Sequence, residues 1–214
     1  MNTNNISISA IRFFFSALVS ALVAIVLKIL IINEWGMNYL GMYVLFLAIY
    51  LFIISSISFQ IVPSSSKLIS EEQNTKSRNK IITSTLFLGF FLSLVGFTIL
   101  FLLRLPLINY YGFEENIVGL TILAVSLPIR ILVITTHGIF NGLQKYRYAA
   151  NSNIIDRLSL FLIAVYVIFF YGDINLIFFS YLGSTITSLI YSLIVLKNFF
   201  VFDISGLYSN NKKI

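Results

Sequence analysis

The sequence has no cysteine, one histidine, one tryptophan and three prolines in 214 residues, and only 10% of it is charged. Without cysteine there is no disulfide framework, thiolate metal site or cysteine nucleophile, and a lone histidine leaves no imidazole cluster for a metal. A soluble domain carries roughly 25% charged residues. What fills this chain is apolar: 58% of the residues are hydrophobic and the mean hydropathy is +0.95. The 14 Lys and Arg outnumber the 8 Asp and Glu, a net +6 that on its own could suggest nucleic acid. These charges fall mostly between apolar runs, as in a polytopic membrane protein, so a nucleic-acid partner is unsupported.

Six runs are long enough to cross a hydrocarbon core, which takes about 20 helical residues. They lie near 11–32, 39–62, 81–103, 117–140, 154–171 and 174–197, and residues 1–200 read as one six-helix transmembrane bundle followed by a polar tail at 201–214. The runs are continuously apolar rather than alternating, which favours all-α spans over a barrel. The first run exceeds a signal peptide's apolar core of about 7 to 15 residues and lacks a small-x-small site, so it is expected to remain as a span. Tyr171, Gly172 and Asp173 alone separate the last two runs, which predicts an antiparallel hairpin.

Six spans put Arg12, Lys67, Lys76, Arg78, Lys80, Lys145, Arg147, Lys197, Lys212 and Lys213 on one side. Arg104, Glu34, Glu114, Glu115 and Asp173 fall on the other. Basic residues in short connections mark the cytoplasmic side, so both termini are expected there. The segment from Pro63 to Lys80, with three consecutive serines and Glu71, Glu72, Gln73 and Asn74, reads as a solvated linker. Weak attraction to lipid headgroups is its other reading.

Three basic residues lie inside the spans: Lys28, Arg130 and Arg157. A cation at the centre of a spanning helix costs about 2.5 to 3.5 kcal/mol on insertion scales, so it faces a wet cavity or a partner. Arg130 is deepest. At about 100° per residue, Ser126, His137 and Asn141 each fall within about 40° of Arg130, and the four form one polar stripe. Pro128 removes a backbone donor beside it and predicts a kink. The stripe serves either as a cavity lining or as a packing contact with a neighbouring helix. Lys28 lies four residues from the outer end of its run and either joins a stripe from Ser20 or snorkels to the interface. Asp156 and Arg157 open the fifth run at its cytoplasmic end and suggest an ion pair, structural or gating. Ser180, Ser184, Ser188 and Ser192 recur every four residues, a spacing suited to close helix packing. His137 could carry a proton, since a histidine's ordinary pKa lies near physiological pH, or simply be hydrogen-bonded near a helix end.

No Gly-x-Ser-x-Gly elbow, Walker loop or acid pair is present, so no catalytic residue and no cofactor is expected. A transferase would need an acid or His set that the loops do not offer.

Two connections carry a family resemblance. Glu34-Trp35-Gly36-Met37-Asn38-Tyr39-Leu40-Gly41-Met42-Tyr43 resembles the segment joining the first two helices of Wzx-type polysaccharide flippases. Gly138-Ile139-Phe140-Asn141-Gly142-Leu143-Gln144-Lys145-Tyr146-Arg147 is similar to their Gly-Leu-Gln-Lys loop before the fifth helix. These flippases belong to the multidrug, oligosaccharidyl-lipid and polysaccharide exporter superfamily. The resemblance implies one bundle of a two-bundle, MATE-like transporter, its amino-terminal half, partnered by a missing carboxy-terminal bundle or a second copy. It implies a place in the inner (cytoplasmic) membrane, among membrane lipids, and movement of an undecaprenyl-diphosphate-linked oligosaccharide such as an O-antigen or capsule unit by alternating access. On it, Arg130 is the principal headgroup ligand, Lys28 assists, and Ser126, His137 and Asn141 contact sugar or phosphate. A small-molecule or drug exporter of the same superfamily and a scaffold subunit of a glycan-assembly complex are the alternatives.

Overall fold

A computed structural model describes residues 3–113 and 116–199. Glu114, Glu115 and the expected polar tail lie outside the described residues. The chain is an all-α bundle with no strand among the described residues. Helix α1 spans Thr3–Trp35, α2 Met37–Ser58, α3 Ile61–Glu71, α4 Thr75–Tyr111, α5 Ile117–Gly142, α6 Tyr146–Tyr171 and α7 Phe178–Lys197, the last preceded by a 3₁₀ turn at Ile174–Ile177. Six stretches are long and apolar enough to cross a membrane, with α2 and α3 counted as one. The fold class expected from the sequence is the one observed.

The turns are tighter than the sequence suggested. Gly36 alone joins α1 to α2, with φ of +88°, a region that side-chain-bearing residues avoid. Gly172 ends α6 in the left-handed conformation, φ +65°. Its carbonyl accepts a 2.8 Å hydrogen bond from Trp35 Nε1, which ties the α1–α2 turn to the α6–α7 turn. Asp173 then caps the 3₁₀ turn by accepting from Asn175 N at 2.8 Å. This loop end lies opposite the end where α7 finishes.

The segment read as a solvated linker is largely helix. Pro63 sits in the first turn of α3, where its missing N–H leaves no hydrogen bond unmade. Ile61, Ser65 and Ile69, four residues apart, are buried against α5, while Lys67 and Glu71 pair at 3.9 Å on the outer side. The close approach depends on glycine: a Cβ on Gly142 would lie 2.7 Å from Ile69 Cβ, and one on Gly138 would collide with Ser65 Oγ. Polar count hid a four-residue period. Only 72–74 remain as a connection, and Asn74 Oδ1 caps α4 by accepting from Lys76 N at 2.9 Å.

Apolar packing falls into two groups. One, near the loop end, gathers Leu27, Ile31, Phe46, Leu120, Leu123, Leu127 and Phe178. The other, toward the terminal end, gathers Ile69, Ile82, Ile139, Phe140, Ala149 and Leu196. Thr135 on α5, Ser152 and Asp156 on α6, and Ser184 and Ser188 on α7 are buried along the stretches between them. In lipid, such packing and interhelical hydrogen bonds hold helices together, because hydrocarbon surroundings supply no hydrophobic drive.

Candidate functional site

Helix α5 runs unbroken through Pro128, and Arg130 is its fourteenth residue of 26. That places Arg130 about 20 Å along the helix axis from the loop end. Helix α6 begins at Tyr146, eight residues before the run identified in the sequence. The polar stretch Tyr146–Asn153 was read as connection, but Ala149, Ala150 and Ser152 are buried in it, and lipid or protein surroundings favour helix over loop. Asp156 is therefore the eleventh residue of 26 and not at a span's end. Fifteen residues of rise separate it from Tyr171, about 22 Å, so it lies level with Arg130.

The two meet. Arg130 Nη1 donates to Asp156 Oδ2 at 2.8 Å, and Arg157 Nε stands 3.7 Å from that same oxygen. Asp156 is 2% exposed, and its second oxygen, Oδ1, is buried without a hydrogen-bond partner. A carboxylate in such surroundings is tolerable only because cations face it.

These groups line a cavity of about 320 Å³ among α1, α2, α5, α6 and α7. Lys28, Arg130 and Arg157 bring three positive charges to it and Asp156 one negative. Tyr50, Tyr181, Ser184 and Thr185 add hydroxyls, while Leu47, Leu51 and Leu160 supply apolar wall. Lys28 and Ala24 on α1, and Val44, Ala48 and Leu51 on α2, are all exposed, so the mouth opens on the α1–α2 face. Tyr181 links the hydroxyl wall: its OH lies 2.7 Å from Tyr43 OH and its ring packs edge-on to Tyr50 at 6.3 Å.

The expected stripe on α5 divides along its length. Arg130 faces the cavity, and Ser126 lies behind it, its Oγ 3.1 Å from Tyr50 OH and 2.8 Å from the Leu123 carbonyl. His137 turns instead to α6, where Nε2 meets Ser152 Oγ at 3.0 Å. Ser152 Oγ also meets Ser188 Oγ at 2.8 Å and Ser192 Oγ at 3.0 Å, a buried knot across α5, α6 and α7. Asn141 lies one turn further toward the terminal end, outside the cavity, with Oδ1 unpaired. The serine row on α7 divides likewise: Ser188 and Ser192 tie helices together, Ser184 reaches the cavity, and Ser180 bonds back to the Ile177 carbonyl at 2.6 Å.

The structure thus brings Lys28, Arg130, Asp156 and Arg157 together and leaves His137 and Asn141 outside. The aromatic hydroxyls were missed from the sequence. The seven-residue spacing of Tyr43 and Tyr50 puts both on one helix face and was the available signal. Among the described residues, no three His, Asp or Glu side chains stand close enough to hold a metal ion.

A family model described as "Polysaccharide biosynthesis protein" matches residues 5–213. No curated protein and no solved structure matches the chain.

Proposed function

The chain belongs to the polysaccharide biosynthesis protein family, and from that premise we propose that it moves a lipid-linked oligosaccharide diphosphate, such as an undecaprenyl-diphosphate glycan unit, across the cytoplasmic membrane by alternating access. One observation carries this reading: a mid-bundle cavity holds three cations against a single carboxylate. A diphosphate cannot cross hydrocarbon bare. Cations in a low-dielectric cavity attract it, Arg by a planar fork of donors and Lys as a point charge. Arg130 is the principal headgroup ligand, Lys28 and Arg157 assist, and Tyr50 and Tyr181 offer rings and hydroxyls to the adjoining sugar.

The six spans supply one bundle, with both termini cytoplasmic, and the mouth on the α1–α2 face is where a second bundle or a second copy would close the path. Exposed Lys28 at that mouth supports this arrangement. The protein acts as a transporter rather than an enzyme. A drug exporter would use the same cavity for different cargo. The Arg130–Asp156 bond favours one further reading, a scaffold subunit in which these charges only pack helices.

The test is glycan export in cells at matched protein level. Arg130→Ala abolishes export on this proposal and Arg130→Lys gives an intermediate rate, because charge survives while the fork is lost. Unchanged export in Arg130→Ala would remove the headgroup assignment, and loss of abundance preceding any loss of export would favour the scaffold.

A further inference from the structure

The cavity holds an anion of its own. Asp156 Oδ2 receives Arg130 at 2.8 Å and lies 3.7 Å from Arg157, so one carboxylate oxygen is shared by two of the three cations that line the space. Its other oxygen is buried and unbonded. Asp156 is also the hydrogen-bond partner of Arg130 among the described residues, although a guanidinium carries five donors in a fork suited to two oxygens at once. The pairing therefore leaves both partners short of their hydrogen-bonding capacity, in a site open enough to admit a ligand.

We infer that Asp156 is a built-in counter-anion: it occupies Arg130 while the cavity is empty, yields the guanidinium to an incoming phosphate, and limits the cavity's surplus to two positive charges. This rests on the proposed transport reading and deepens it by naming the group that holds Arg130 when no headgroup is bound and that sets the cavity's charge surplus. Lys28, Arg130 and Arg157 against Asp156 leave a surplus of two. A diphosphate esterified at both ends, as between a lipid and a sugar, carries one negative charge on each phosphate and neutralises that surplus. A monophosphate diester leaves one cation unmatched, and the penalty is large where water is scarce. The carboxylate also assists release. When the headgroup leaves, Asp156 returns to Arg130, so the cation is never left unpaired and the ligand need not be held tightly.

The experiment uses the full chain in lipid nanodiscs of phosphatidylethanolamine and phosphatidylglycerol. Binding and dissociation are measured for a farnesyl-diphosphate-linked monosaccharide, its monophosphate-linked counterpart and inorganic pyrophosphate. Asp156→Asn keeps an acceptor for Arg130 but removes the negative charge; it is expected to bind the diphosphate lipid about tenfold more tightly and to release it more slowly. Arg157→Gln lowers the surplus to one and leaves the Arg130–Asp156 bond in place. It is expected to shrink the preference for diphosphate over monophosphate lipid by about tenfold. Because Arg157 is the more exposed member, this variant keeps the test available if Asp156→Asn fails to fold.

Weaker diphosphate binding in a folded Asp156→Asn, or an unaltered preference in Arg157→Gln, overturns the counter-anion while leaving the cavity as a headgroup site. Equal binding of pyrophosphate and the diphosphate lipid locates recognition in the phosphates; preference for the lipid adds the sugar and chain, and either agrees with the inference. No binding of any of the three to the unaltered protein overturns both the inference and the transport reading.

Discussion

Arg130 on α5 and Asp156 on α6 face each other across the bundle at 2.8 Å, and seven residues further along α5 His137 meets Ser152, one turn before Asp156, at 3.0 Å. The two antiparallel helices thus carry two polar rungs in register. The first rung borders the cavity and the second does not. Their neighbourhood in the membrane is similar, yet their consequences on substitution differ.

Removing one side of the first rung leaves a buried charge without its main partner. Arg130→Ala is expected to destabilise the protein by about 3 kcal/mol, the low end for breaking a buried pair, since Arg157 remains nearby. Arg130→Ala with Asp156→Ala together should recover much of that loss, because neither charge is then stranded. Thermal unfolding in detergent checks the recovery. Export measured on the stable double variant should stay abolished, which separates binding from packing.

The second rung joins α5, α6 and α7 outside the cavity. Ser152→Ala removes contacts to His137, Ser188 and Ser192 in one step. Interhelical hydrogen bonds in membranes average about 0.6 kcal/mol each, so a loss of about 1 to 2 kcal/mol is expected. Affinity for a diphosphate lipid should not change in this variant. A stability scan paired with a binding titration reads both.

The α3–α5 contact requires the absence of a side chain at Gly142, where a Cβ would come within 3.0 Å of the Ser66 carbonyl as well as meeting Ile69. Gly142→Val is expected to cost about 1 to 3 kcal/mol through overpacking. Ile69→Ala alone should destabilise, yet in the Gly142→Val background part of the cost should return. A double-mutant cycle on unfolding temperatures measures that coupling.

Much of this arrangement was legible in the sequence and some was not, for identifiable reasons. Six spans follow from apolar length alone. Arg130 stood out because a central cation in lipid demands a partner or water. Its partner was hidden because the stretch from Tyr146 to Asn153 is polar enough to pass for a loop, which moved Asp156 to a helix end. Ala149, Ala150 and Ser152 are small and buried, and their helicity is decided by the packing of α6 on α7 and α1 and not by local hydropathy. The same error made a linker of α3, whose buried face is only three residues wide. Lys28 could not be assigned between cavity and interface, since the choice depends on how α1 turns against α2 and α6.

The connection after α5 contains one residue in an uncomfortable conformation. Gln144 has φ of +58°, the left-handed region that favours glycine, while Lys145 N closes the turn on the Phe140 carbonyl at 2.8 Å. Gln144→Gly is expected to raise stability by about 1 kcal/mol by relieving that cost. A shift of the unfolding midpoint in the same direction checks it.

The central claim is that a diphosphate headgroup occupies the cavity against Arg130. The chain has no cysteine of its own, so a single Ala48→Cys on the cavity wall gives one label site without background. The measurement is the rate of maleimide labelling at that position in membranes with and without the lipid-linked diphosphate glycan. The account predicts several-fold protection by the glycan lipid, lost when Arg130 is replaced by alanine. Equal labelling rates with and without the glycan lipid, in a protein that folds and inserts normally, would contradict it.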